Sequence, residues 1–181
     1  MTLLFRAVRA FAVTVAALPL LAVPAQAQII PLPLQPVVGA AQRACTAKTA
    51  SGLGYSVLKP AEGAKPGATD YVLVNYIGYL AATGAVFDQA MRTPMPVDGV
   101  IPGFGEGLRL AARGGIVRLC IPAALGYGAQ EQGPIPANSD LVFQVEMIDM
   151  RTRAELEAMQ AEAAAQAPAA SASAPATSPG N

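Results

Sequence analysis

The sequence predicts an α+β domain, an antiparallel sheet of about five strands curled around one short α-helix. Four runs of apolar residues carry the two-residue period or the β-branched and aromatic content of strands, and only one stretch between them has helical spacing. Of the 181 residues, both ends differ in composition from the middle, which leaves about a hundred for one folded unit over residues 48–150. A single helix covers only one face of such a sheet, so the sheet is expected to curl around it.

Taken in order, residues 1–27 read as a cleavable export signal. Arg6 and Arg9 supply a positive start, residues 10–23 are almost wholly apolar, and Ala25-Gln26-Ala27 has the small-x-small pattern of a cleavage site. An uncleaved membrane anchor is the competing reading. Pro19 and Pro24 interrupt a run already shorter than the ~20 residues that a spanning helix needs. Residues 28–47 carry Pro31, Pro33 and Pro36 among short apolar residues without a helical or strand period, and are expected to form an extended tether.

The first strand is expected around Leu53, Tyr55 and Val57, which alternate with smaller or polar neighbours. Residues 71–80 are rich in Val, Tyr and Ile, and residues 116–121 form a shorter apolar run. Residues 141–148 alternate most cleanly, with Leu141, Phe143, Val145 and Met147 on one face against Val142, Gln144, Glu146 and Ile148. The one helix within the domain is expected over residues 104–112. Leu108, Ala111 and Ala112 lie on one side of Arg109, Gly103 precedes the segment and Gly114-Gly115 ends it. Residues 151–181 follow as a short helix, with good formers such as Glu155, Leu156 and Met159 up to residue 166, and then a disordered Ala/Pro/Ser tail.

The composition excludes several chemistries. The chain has no histidine, which removes Ser-His-Asp and Cys-His nucleophilic schemes and most zinc sites. Twelve basic residues balance twelve acidic ones, without the basic excess of a nucleic-acid binder. Cleavage after Ala27 removes Arg6 and Arg9 and turns the balance slightly acidic.

Five segments, in order and at matching spacing across residues 48–150, resemble the FKBP-type peptidyl-prolyl isomerase family. They are Ser51-Gly52-Leu53-Gly54-Tyr55-Ser56-Val57-Leu58; the 72–80 run with Gly84-Ala85-Val86-Phe87-Asp88; Val100-Ile101-Pro102-Gly103-Phe104-Gly105-Glu106-Gly107-Leu108; Arg118-Leu119-Cys120-Ile121-Pro122 with Leu125-Gly126-Tyr127-Gly128; and Ile135-Pro136-Ala137-Asn138 with the 141–146 strand. The resemblance implies an FKBP-like fold and an exported isomerase that accelerates rotation about Xaa-Pro bonds. Such a reaction needs no proton transfer. Its ~18–20 kcal/mol barrier comes from C–N double-bond character, which an apolar cavity weakens by removing the water around the charge-separated form.

The resemblance also implies the site. Tyr76, Phe87, Val100, Ile101, Tyr127, Ile135 and Phe143 correspond to its apolar wall, and Phe104 stands where the family keeps a floor tryptophan. The Ile101 N–H would hold one substrate carbonyl and the Tyr127 hydroxyl another. Asp88, the only carboxylate in the set, would either orient Tyr76 or meet the twisted amide. Asp88, Tyr127, Ile101 and Tyr76 are thus the implied catalytic set. Met95 completes the substrate-binding residues at a position where relatives often carry phenylalanine. Taken singly, Phe87, Val100 and Phe143 read as core, Tyr76 and Tyr127 as rim and Asp88 as a turn residue. Their joint occurrence at family spacing is what points to a site. Phe104 and Met95 are expected to leave catalysis retained but reduced.

Cys45 and Cys120 could pair after export or remain as two thiols. Cys120 shares a strand face with Arg118, read as the outer one, so that a bridge would tie the tether to the sheet. No Cys-x-x-Cys is present, which argues against redox catalysis. Three functional classes follow: the periplasmic isomerase, an FKBP-fold peptide-binding or chaperone module with little turnover, and an envelope-tethered protein that docks a partner through residues 151–181. The implied partners are proline-containing segments of exported proteins, with macrolide inhibitors as ligands. No cofactor, metal, nucleic acid or membrane span after cleavage is expected. No long helical arm precedes Cys45, so a monomer is expected.

Overall fold

The computed structural model describes residues 38–166. The expected export signal, residues 28–37 of the tether and the 167–181 tail lie outside them. Six strands, β1 (Ala47–Lys48), β2 (Gly54–Lys59), β3 (Tyr71–Leu80), β4 (Val86–Pro96), β5 (Ile116–Ile121) and β6 (Leu141–Arg151), form one antiparallel sheet in the order β1-β2-β5-β6-β3-β4. Helix α1 (Pro102–Leu108) lies on one face, and α2 (Arg153–Gln166) follows β6. This is the expected α+β architecture with one more strand.

The inner face follows from the alternation. Leu141, Phe143, Val145 and Met147 of β6 join Val72 and Val74 of β3, Val117, Leu119 and Ile121 of β5, and Phe104 and Leu108 of α1 in one buried cluster. Each large side chain taken out of water there contributes ~1.5–3 kcal/mol before conformational entropy is set against it. Helix α1 is shorter than the expected 104–112. Pro102 suits its first turn because that position needs no N–H donor. Beyond Leu108, tight turns from Leu110 N–H to Gly107 O and from Ala111 N–H to Leu108 O replace the helical ladder. Ala111 and Ala112 are still buried, so the apolar spacing was real while the helix was not continuous.

Strand β4 escapes the periodicity because it is an edge strand with a mixed sequence. It carries Pro94 and Pro96, which an edge tolerates on its unpaired side, and Arg92 sits at φ +50 beside a register shift.

The outer face, expected to be open, is also covered. Residues 38–46 cross it as a strap. Val38 is 3% exposed and packs with Ile77, Tyr79 and Val142. Its N–H donates to Gly84 O at 2.8 Å, and any Cβ on Gly84 would collide with the Val38 carbonyl. The Tyr79 hydroxyl donates to Gln42 O, and Arg43 donates to Ala81 O. Cys45 and Cys120 are paired in a disulfide that fastens the strap to β5. Arg118, expected on an open face beside Cys120, is instead 1% exposed under the strap, where it donates to Ala44 O. The nearby guanidinium opposes, without cancelling, the rise that burial imposes on the Tyr79 phenol.

Helix α2 begins two residues after the expected start at 151, at a capping box. Glu155 N–H donates to Thr152 Oγ1, and Thr152 N–H donates to Glu155 Oε2. That exposed carboxyl is held below its usual range first by the Thr152 backbone N–H. Arg153 bonds Asp98 at 3.0 Å and stacks over the Tyr71 ring, which ties the helix start to the domain. No helix among the described residues is long and apolar enough to cross a membrane.

Candidate functional site

Nine of the ten residues assigned to the site by resemblance lie in or against the inner cluster and the tenth, Asp88, is bonded to Tyr76, while Met95, opposite Val72, stands further along β3 than the Gly78 level. Phe104, Ile135 and Phe143 are buried in the inner cluster, and Tyr76, Phe87, Met95, Val100, Ile101 and Tyr127 pack against it while partly exposed. Antiparallel register explains part of this. Gly78 of β3 lies between Asp88 of β4 and Phe143 of β6, which brings Phe87, Asp88 and Phe143 to one level.

The rings form a connected wall. Phe143 stands at the centre, 4.7 Å from Phe104, 5.5 Å from Phe87 and 6.2 Å from Tyr76 between centroids. Tyr76 and Phe104 meet edge to face at 6.0 Å. This wall needs a residue that the sequence reading did not single out. A Cβ at Gly78 would come within 2.6 Å of Phe143 and 2.7 Å of Phe87. Only glycine lets both rings lie over the β3 backbone. The signal was present: a glycine inside a strand run often marks close approach.

The polar groups are few. The Tyr76 hydroxyl donates to Asp88 Oδ2 at 2.7 Å, so the carboxylate orients the tyrosine, one of its two expected roles. Burial pushes the Tyr76 phenol far above its ordinary value, and the hydrogen bond and charge of Asp88 push it further. Tyr76 therefore presents a protonated, fixed ring whose proton is already engaged. Among the described residues, neither the Ile101 N–H nor the Tyr127 hydroxyl makes a hydrogen bond, although the Ile101 carbonyl accepts from Phe104 and Gly105. Two free donors therefore stand beside the aromatic wall. Asp88, exposed and already shared with Tyr76, is no partner for an acid–base pair.

Comparison with known proteins points to one family. Residues 62–148 match the sequence profile of FKBP-type peptidyl-prolyl cis-trans isomerases. The chain is 41% identical over 116 residues to the FKBP-type peptidyl-prolyl cis-trans isomerase FkpA of Escherichia coli K12, covering 61% of this chain and 43% of that protein. It is 43% identical over 107 residues to the FKBP-type 22 kDa peptidyl-prolyl cis-trans isomerase of the same organism, covering 56% and 52%. The chain thus spans about half the length of the curated relatives it matches. A crystal structure of a peptidyl-prolyl cis-trans isomerase from Pseudomonas syringae superposes with a TM-score of 0.56 at 34% identity, covering 59% of this chain and 80% of that one.

Proposed function

The chain belongs to the FKBP-type peptidyl-prolyl cis-trans isomerase family, and from that premise we propose that it accelerates rotation about Xaa-Pro bonds in exported polypeptides. The observation that carries this reading is the connected aromatic wall beside two uncommitted donors. The proline ring enters against Phe104, between Phe87, Phe143 and Tyr76, with Val100, Ile135 and Met95 closing the sides. Ile101 N–H and the Tyr127 hydroxyl take the carbonyls that flank the ring. Asp88 keeps Tyr76 in place. Excluding water disfavours the charge-separated resonance form of the amide, and the fixed donors hold the chain in the twisted geometry; every 1.36 kcal/mol so removed from the barrier is worth tenfold in rate.

The catalytic unit is residues 48–150 together with the strap that begins at Val38. Export to the periplasm is supported by the leader pattern of residues 1–27 and by the Cys45–Cys120 bridge, a bond that persists in oxidising compartments. Residues 1–27 act as the cleaved signal. The protein works as a monomer on proline-containing segments and takes macrolide inhibitors in the same cleft.

The test is a protease-coupled assay on a Leu-Pro tetrapeptide. The expected result is a rate that rises linearly with protein concentration and is unchanged on truncation after Met150. Peptide binding with no acceleration would replace the enzyme by the peptide-binding module. A role confined to the full-length chain would favour docking through residues 151–181.

A further inference from the structure

A hollow of about 480 Å³ has the β3–β4 hairpin as one wall and the loop before β6 as the other. Leu80, Ala82 and Thr83 face Pro136, Asn138 and Asp140 across it. Its walls are fixed by hydrogen bonds. Ala81 N–H donates to Asp140 O, Gly84 N–H to Leu80 O, and Asn138 N–H to Gly128 O at 2.7 Å. The last bond joins the loop to the residue after Tyr127, and Pro136 follows Ile135, so two wall residues are tied directly to neighbours of the candidate site. The groove is lined by small side chains, and Asp140 is the only lining residue with a charge. Asp140 Oδ1 accepts from Ala123 N–H, which leaves Oδ2 to act outward. Arg43 sits behind the hairpin, bonded to Ala81 O, and with Lys48 lines the outer-face hollow that Asp140 also borders.

We propose that this groove is an extended substrate subsite that receives the residues flanking the Xaa-Pro bond of an extended client and selects basic residues over acidic ones through Asp140. The proposal rests on the isomerase reading and deepens it. The small side chains leave room for a passing chain, the links of Pro136 to Ile135 and of Asn138 to the residue after Tyr127 set that chain near a proline held at the aromatic wall, and the single carboxylate sets its charge preference. An exposed carboxylate gives modest, salt-sensitive discrimination rather than a strict requirement.

The experiment compares a Leu-Pro core peptide with versions extended by three residues at either end, carrying Lys or Glu in the extension. For the intact protein, Lys at one of the ends is expected to give a kcat/KM about two- to fivefold above Glu, falling towards equality at high salt. Asp140→Asn, which keeps the acceptor for Ala123 N–H, should bring that ratio close to one. Ala82→Trp, a change at an exposed position that fills the groove, should abolish the gain from extension and leave the core peptide's rate unchanged. Equal rates for Lys and Glu at both ends, or a ratio that survives Asp140→Asn, or an extension gain that survives Ala82→Trp, would overturn the proposal. If the core peptide is bound but not turned over, the isomerase reading fails by itself. The Lys-to-Glu ratio of peptide affinities in the same three proteins then decides the groove.

Discussion

Gly78→Ala should damage the cleft from behind. The new methyl would lie 2.6 Å from Phe143 Cε1 and 2.7–2.8 Å from the Phe87 ring, against ordinary contacts beginning near 3.4 Å, so the rings must retreat by about 0.7 Å. They cannot share the retreat equally. Phe143 is 6% exposed and backed by Phe104 at 4.7 Å, whereas Phe87 is partly exposed. Phe87 is therefore expected to swing outward and open the wall. Overpacking of this kind costs about 1–3 kcal/mol, of which the lower backbone entropy of alanine in the unfolded chain returns about 0.5–1. The net loss of about 1–2 kcal/mol corresponds to a Tm lower by roughly 4–8 °C for a domain of this size. A wall misplaced by a large fraction of an ångström should lower kcat/KM on a Leu-Pro peptide by about tenfold. Calorimetry and the coupled assay read the two effects. Adding Phe87→Leu to Gly78→Ala should recover about 1 kcal/mol relative to additivity, because it removes half of the collision. A Gly78→Ala protein with Tm within about 1 °C and kcat/KM within about twofold of the parent would refute this account of the wall.

Removing the disulfide tests the strap. Cys45 and Cys120 are 75 residues apart, so the Cys45→Ala/Cys120→Ala protein should lose up to ~4 kcal/mol and roughly 15 °C in Tm, read by thermal unfolding. Its kcat/KM well below that Tm should stay within about twofold, since the bridge lies on the face opposite the cleft. Phe104→Trp should raise kcat/KM by roughly fivefold, the worth of ~1 kcal/mol of added apolar contact with the proline ring; no gain would show that this position does not limit the rate. Tyr76 and Tyr79 should ionise only above the ordinary phenol range in an ultraviolet titration, and Asp88→Asn should bring Tyr76 part of the way down. Both phenols are raised in the folded chain, so the stability linked to them is complete below pH ~10 and is lost as pH rises above it, measurable by urea unfolding.

The parts of this fold that the sequence reveals are those in which one side chain sees one environment. β6 alternates because its inner face meets α1, and its period is plain. β4 has no such contrast, because an edge strand with prolines and a bulge satisfies only one neighbour. The strap was hidden for another reason. Besides the Cys45 bridge, the buried Val38 side chain and the Arg43 guanidinium, residues 38–46 attach through backbone groups, Val38 N–H, Gln42 O and Ala44 O, which no side-chain pattern records. Arg118 shows the consequence. Read alone it marks an open face, yet the strap supplies the carbonyl that allows it to be buried. The site was legible only as a set. Phe87 and Phe143 were separable from ordinary core by spacing across five segments, while Gly78 carries no side chain and becomes visible only once both rings are placed over it.

The most direct test is exchange NMR on a Leu-Pro peptide with the protein far below stoichiometric amounts. The account predicts cis–trans exchange cross-peaks on a timescale at which the free peptide, isomerising over tens to hundreds of seconds, shows none. Tyr127→Phe, which removes one of the two donors, should weaken them by about tenfold while the peptide still binds. Peptide shifts that titrate with the protein while exchange stays at the uncatalysed rate would contradict the account, leaving a cleft that holds proline without turning it.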